Sequence, residues 1–130
     1  MSCVAFAQCD KNFKLTSSKT EYLDSSGTVR DTRAENSTIE LTKDEIVIRP
    51  GNNEENEMRG KLTDVDCKWT TPYKQGKTTF RTSLMNNRGD VNEATIVIEG
   101  KDGKLTITAV AKAHPDRIVR VPIDNYEEKN

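Results

Sequence analysis

Hydrophobic and polar residues alternate along much of this chain, in short runs that are rich in valine, isoleucine and threonine. In the clearest run, from Lys104 to Ala111, every second residue is aliphatic: Leu105, Ile107, Ala109 and Ala111. A period of two residues places these side chains on one face of a β-strand and the residues between them on the other. The pattern therefore predicts a strand with one buried face.

Three such runs follow one another closely near the C-terminus. Thr95–Glu99 ends at the turn Gly100–Gly103, whose glycine and aspartate residues tolerate positive φ. The connection Lys112–Asp116 contains Pro115, which fits a loop because proline has no N–H. A third strand is predicted at Ile118–Ile123. A meander of this kind cannot bury its hydrophobic face alone, so further strands must close against it.

The earlier part of the chain repeats this pattern, with polar turns between the runs. Further strands are predicted at Phe13–Leu23, with a bend near Ser17, and at Thr38–Leu41, Glu45–Ile48, Met58–Leu62, Val65–Thr70 and Thr78–Met85. We expect Met58–Leu62 and Val65–Thr70 to pair with each other. Val29–Asn36 is polar and fits a poor strand or a loop, and a short helix at 17–23 or 28–34 is an alternative.

About eight or nine short strands at regular spacing predict an all-β fold, either a barrel or a sandwich. Of the two we expect an antiparallel up-and-down β-barrel, the architecture that the resemblance described below implies. We assign the barrel to residues 9–125, a disordered tail to 126–130, and a signal-peptide remnant or disordered N-terminus to 1–8. Hydrophobic residues make up only 33% of the chain and the mean hydropathy is −0.78, which predicts a thin core. The net charge of −1, with scattered basic residues, disfavours a nucleic-acid partner. No apolar run has the length of a transmembrane helix.

The first residues favour export to the periplasm or outside the cell. Ala5-Phe6-Ala7 followed by Gln8 is typical of the small-residue end of a secretory signal peptide, although an ordinary N-terminus is the alternative. If Cys3 belongs to a removed signal, Cys9 and Cys67 are left as an even pair. A disulfide between them would suit an oxidising compartment, whereas free thiols are the other interpretation.

Four stretches together resemble the lipocalin-like calycins, and are closest in rhythm to small fatty-acid-binding-protein and lipocalin-like domains: FKLTSSKTEYLDSSG, IELTKDEIVI, TIVIEGKDGKLTIT and RIVRVPIDNYEE. Phe13-Lys14-Leu15 stands where such families often carry Trp-Lys-Leu. Arg120 stands where a fatty-acid-binding protein places the arginine of its carboxylate-binding pair. The resemblance implies a lipocalin-like barrel that binds a small hydrophobic or amphipathic molecule at its mouth.

We accordingly expect the ligand-binding residues to be Trp69, Phe80, Arg81, Leu84, Ile107 and Arg120. An arginine that points into a barrel must be paired, hydrated or reserved for an anionic ligand. The alternative is that Arg81 and Arg120 lie on the surface opposite acidic residues, and that Trp69 fills the core. A one-residue shift in strand register would exchange inward and outward residues.

The chain carries little that could support catalysis. His114 is the only histidine, and no serine or cysteine stands in a recognisable catalytic motif with it. Asp64 and Asp66 are most simply solvated, and no metal site or cofactor is expected. We therefore expect an exported, monomeric, non-enzymatic binding protein. The alternative is a carbohydrate- or protein-interaction module of the cell envelope with no internal ligand.

Overall fold

A computed structural model describes residues 12–71 and 74–129 of the chain. Nearly all of these residues lie in ten antiparallel strand segments and the turns between them: β1 Asn12–Leu23, β2 Val29–Leu41, β3 Glu45–Arg49, β4 Met58–Lys61, β5 Thr63–Thr71, β6 Gln75–Asn86, β7 Val91–Lys101, β8 Lys104–Ala111, β9 Ile118–Pro122 and β10 Asn125–Lys129. Two single 3-10 turns, Pro50–Asn52 and Glu54–Asn56, connect β3 to β4.

The segments form a closed eight-stranded barrel. Most strands pair with the next strand along the chain, but β4 and β5 do not pair with each other and instead lie end to end along one side of β6. In the same way, β9 and β10 lie end to end along β1, which joins the last strand to the first and closes the barrel. The predicted antiparallel up-and-down β-barrel is thus confirmed, with the lower of the two predicted strand numbers.

The core follows from the alternation seen in the sequence. Residues that face each other across neighbouring strands share a side of the sheet. Phe80 lies opposite Ile96, and Ile98 lies opposite Ile107. All four residues are less than 5% exposed. Burying an aliphatic or aromatic side chain of this size stabilises a fold by about 1.5–3 kcal/mol. A core with few aromatic residues can therefore hold the barrel together.

Trp69 closes one end of this core by lying across two glycines. Gly76 is its partner on β6, and Gly100 is the partner of Gly76 on β7. A Cβ atom at Gly100 would lie 2.7 Å from Cζ3 of the indole ring, so a side chain at that position would displace the ring. The indole Nε1 donates a hydrogen bond to Thr78 Oγ1 at 2.7 Å.

One open alternative is settled by the structure, and two local predictions differ from it. Val29–Asn36 is part of the 13-residue strand β2, so it is a strand and not a loop, and neither alternative helix forms, because pairing with β1 gives this polar segment its partners. β4 does not pair with β5, so the hairpin expected there is wrong. The C-terminal tail also differs, since Asn125–Lys129 is strand β10 and pairs with β1. Residues 1–8 lie outside the described part of the chain.

Candidate functional site

Four of the six predicted ligand-binding residues lie in the packed core. Phe80 is fully buried, and the others are 8% exposed or less: Trp69, Leu84 and Ile107. All four belong to one hydrophobic cluster, together with aliphatic side chains from β1, β2, β3, β7 and β8. These four residues therefore belong to the packed interior of the described part of the chain.

Arg120 lies on the outside of the barrel. It faces Thr108 on β8 and Glu21 on β1, and both belong to the outward row next to the buried row of Ile107. Its Nε donates a hydrogen bond to Glu21 Oε1 at 2.8 Å. This bond lowers the pKa of the Glu21 carboxyl group. Arg120 is thus paired with an acidic residue of the neighbouring strand.

Arg81 also faces outward, in the row that contains Thr63 on β5 and Thr95 on β7. Its Nη1 lies 3.8 Å from Asp64 Oδ2, and both side chains are 72% exposed. The structure therefore does not bring the two predicted arginines together with the four core residues. The six residues do not form one site.

A cavity of about 520 Å³ lies along the outward face of β6, β7 and the end of β8. Thr95 and Val110 face each other within it, and Arg81 is the next residue in the same row. An ion pair between Lys112 Nζ and Glu93 Oε2, at 3.4 Å, borders it as well. Two oppositely charged pairs and small β-branched side chains thus form part of its wall.

A second cavity of about 630 Å³ lies on the outward side of β4 and the adjoining end of β6. Its most exposed apolar residue is Met85, which is 49% exposed. Thr63 and Ser83 line both cavities, so the two are adjacent. We call the residues that line them the β6 groove. Its lining includes charged residues of both signs: Glu45, Glu57, Arg59, Lys61, Asp64, Arg81, Glu93 and Lys112.

An ion-pair network holds one side of the β6 groove. Glu57 accepts hydrogen bonds from Arg59 Nη2 at 2.8 Å and from Arg49 Nε at 2.7 Å. These two bonds, that from Arg59 first, lower the pKa of the Glu57 carboxyl group. Arg49 also lies 3.6 Å from Glu40, which extends the network to β2. Val47, which lies between Glu40 and Arg59 in the sheet, is only 7% exposed.

Gly60 explains why β4 can cross so close to β6 beside the groove. A Cβ atom there would overlap Oγ1 of Thr82, so a residue larger than glycine would force the two strands apart. Thr82 itself is 3% exposed. Its hydroxyl group is buried and has no hydrogen-bond partner among the described residues. Such a group is costly in a protein core.

A polar cluster at the β1–β2 end of the barrel was not predicted from the sequence. Arg33 lies opposite the buried Thr20, and its guanidinium carbon is 5.6 Å from the ring centroid of Tyr22. Thr20 donates a hydrogen bond to Glu35 Oε1 at 3.2 Å. The alternation of Asp31, Arg33 and Glu35 could have indicated this shared face, but only once Val29–Asn36 was taken as a strand.

The described residues contain no group of three or more metal-binding side chains. His114 is exposed in the β8–β9 loop, where its backbone N–H donates a hydrogen bond to the carbonyl oxygen of Ala111. Within residues 12–71 and 74–129 we find no helix with the length and apolar character needed to cross a bilayer. Cys67 is disulfide-bonded, and the other two cysteines, Cys3 and Cys9, lie outside the described residues.

The chain matches no protein-family model, no curated protein sequence and no solved structure.

Proposed function

We propose that the protein is an exported, non-enzymatic interaction module that binds a segment of another protein in the β6 groove. One observation carries this proposal. Four of the positions expected to hold a ligand are occupied by packed core side chains, whereas two adjacent cavities lie on the outer wall. Of the two functions considered from the sequence, the module with no internal ligand fits this arrangement better.

The chemistry of the β6 groove favours a protein segment over a carbohydrate. None of its described lining residues is aromatic, so the groove lacks a ring on which a sugar could stack. Its charged residues of both signs can pair with the side chains of a polypeptide. Exposed Met85 adds an adaptable apolar contact of the kind that is common at protein interfaces.

Export is supported by two features. Disulfides form and persist mainly in oxidising compartments, and Cys67 is disulfide-bonded. The sequence Ala5-Phe6-Ala7 suits the end of a secretory signal.

A lipocalin-like binding protein for a small amphipathic molecule is the second candidate. Eight strands are enough to enclose one small ligand. The buried hydroxyl of Thr82 favours this candidate, because a ligand that reached it would supply the hydrogen bond that the described residues do not. Binding would then require the packed side chains around it to move.

Site-specific crosslinking tests the leading proposal. A photoreactive phenylalanine analogue would replace Met85 in the groove, and Tyr126 on β10 in a control variant, since the two residues are 49% and 43% exposed. In cells that export the protein, we expect a discrete protein adduct from position 85 and none from position 126. The double substitution Arg81→Glu and Lys112→Glu should weaken that adduct, because it removes both basic residues from one end of the groove. Equal labelling from both positions would count against a groove-specific partner.

A further inference from the structure

One edge of β2 is left without a neighbouring strand over most of the residues 29–36. On its other side, β2 pairs with β1 from Val29 onward. Pairing with β3 begins only at Thr38, which lies opposite Arg49. No other described strand pairs with β2. Residues 29–34 are all exposed.

The loop after β3 explains where the unpaired edge ends. Pro50 turns the chain away from β2, and the N–H of Gly51 then donates a hydrogen bond to Ser37 Oγ. Asn52 accepts a hydrogen bond from the hydroxyl of Thr38. The loop therefore covers Ser37 and Thr38 but leaves the preceding residues open. The N–H of Thr32 donates to Asp31 Oδ1 of its own chain at 2.9 Å, a bond that pairing through this N–H would replace. An open edge of this length presents N–H and C=O groups that can pair with another strand.

We propose that a second copy of this chain pairs with that edge, so that two β2 strands run antiparallel across a two-fold axis at Thr32. A two-fold axis perpendicular to the sheet keeps each face of the sheet continuous and places one residue opposite its own copy. The residues on either side of that position then face each other in reciprocal pairs. The charged side chains on the open edge of β2 determine which residue is most favourable on the two-fold axis.

With Thr32 on the axis, Asp31 of each copy lies opposite Arg33 of the other, and the two threonines face each other. Opposite charges and paired threonines are both favourable across antiparallel strands. An axis at Asp31 would place that carboxylate opposite its own copy. An axis at Arg33 would place two arginines together and Asp31 opposite Glu35. Only like charges meet in these two alternatives, and such pairs are destabilising.

An axis at Ala34 would also match charges, because Arg33 would face Glu35. However, an axis at Ala34 would place part of the pairing at Ser37 and Thr38, the end of the edge that the β3–β4 loop covers. Ser37 and Thr38 are already in contact with the β3–β4 loop, so fewer residues on each copy could pair. The axis at Thr32 allows the whole open segment to take part, and we therefore prefer it.

Sedimentation velocity of the full-length protein over a range of concentrations tests the dimer. We expect a concentration-dependent dimer for the wild type. Asp31→Arg and Arg33→Asp should each raise the dissociation constant by about tenfold or more, since each creates two like-charge pairs at the interface. The double variant D31R/R33D exchanges the charges and should return dimerisation to near the wild-type level. Circular dichroism of each variant controls for folding.

A cysteine at the axis provides an independent measurement. Directly opposed residues of antiparallel strands have Cβ atoms about 4.5–5.5 Å apart, which approaches disulfide geometry. Thr32→Cys should therefore form a covalent dimer under mild oxidation, whereas Ala34→Cys should not. Crosslinking of Ala34→Cys alone would overturn the proposed axis. A wild type that remains monomeric at all concentrations would overturn the dimer, as would a double variant that fails to recover.

Discussion

Trp69 shows how single residues determine whether the barrel interior is packed or hollow. Its ring packs over Gly100, and its N–H is bonded to Thr78, so the largest side chain of the core has both its apolar surface and its polar group satisfied. Aromatic residues of this kind serve equally well to line a cavity or to fill one. The glycines on the neighbouring strands provide the room for the ring, and this places Trp69 in the core.

We predict that Thr82→Val stabilises the protein. Valine has nearly the shape of threonine but no hydroxyl group, so the substitution removes a buried polar atom that has no described partner. The free energy of unfolding in urea should rise by about 1 kcal/mol. Thr78→Val is the matched control, because it removes the acceptor of the Trp69 bond and should destabilise the fold. A loss of stability in Thr82→Val would instead point to a bound water or ligand at this hydroxyl.

At the scale of the element, the β1–β2 hairpin depends on one carboxylate. Asp24 accepts hydrogen bonds from the hydroxyl and the N–H of Ser26, from the N–H of Thr28 and from Nε of Arg30. These bonds, that from the Ser26 hydroxyl first, lower the pKa of Asp24 to about 2. The turn is thus held by the ionised form of a single side chain.

This arrangement predicts a local dependence of stability on pH. A carboxyl group whose pKa is lowered by folding contributes stability that is present above its unfolded pKa and is lost as the pH falls through its folded pKa. We expect Asp24→Asn to lower the free energy of unfolding at neutral pH. Its difference from the wild type should shrink as the pH falls from about 4 to 2. Urea unfolding of both proteins at several pH values would measure it, and a constant difference would contradict the assignment.

β2 is the element whose surroundings differ most along its length. Its second half lies between β1 and β3 and carries the buried Ile39, while its first half has β1 on one side only. The same strand thus supports the core at one end and offers an open edge at the other. The mixed charges of that edge limit non-specific pairing with other strands. They also favour the proposed pairing of two β2 strands, in which Asp31 lies opposite Arg33.

At the scale of the whole molecule, closure of the barrel decides what can be bound and where. The eight strands enclose a core in which large side chains from several strands interdigitate. Cavities of 520 and 630 Å³ lie instead on the outer wall, where β4 and β5 meet along β6. A partner that binds there would meet both charged side chains and the apolar surface of Met85.

The filled interior leads to a prediction for ligand binding. Titration of the folded protein with long-chain fatty acids should give no saturable change in the fluorescence of Trp69, because the ring is already packed and hydrogen-bonded. A fatty-acid-binding protein measured in parallel serves as the positive control. A saturable change with one ligand per chain would favour the lipocalin-like candidate over the groove.

The sequence by itself determined most of the strands, most of the turns and the barrel class. These features depend on local patterns: a period of two residues, β-branched side chains and turns of glycine, asparagine and aspartate. They also indicated parts of the core, since the buried Leu105 and Ile107 belong to an alternating run and the buried Ile96 and Ile98 to a β-branched one. The same local information sufficed to predict the bend near Ser17, where the pairing of β1 with β2 shifts register.

Only the tertiary structure decided which side each polar residue faces and which strands are neighbours. Arg120 and Arg81 point outward because of their register with Thr108 and Thr63, which are distant in sequence. The polar segment Val29–Asn36 and the C-terminal tail became strands because β1 lies beside both. Pairing between distant segments is a non-local property, and a shift of one residue exchanges the two faces of a strand. For this reason the barrel was predictable from the sequence, whereas the filled interior, the β6 groove and the open edge of β2 were not.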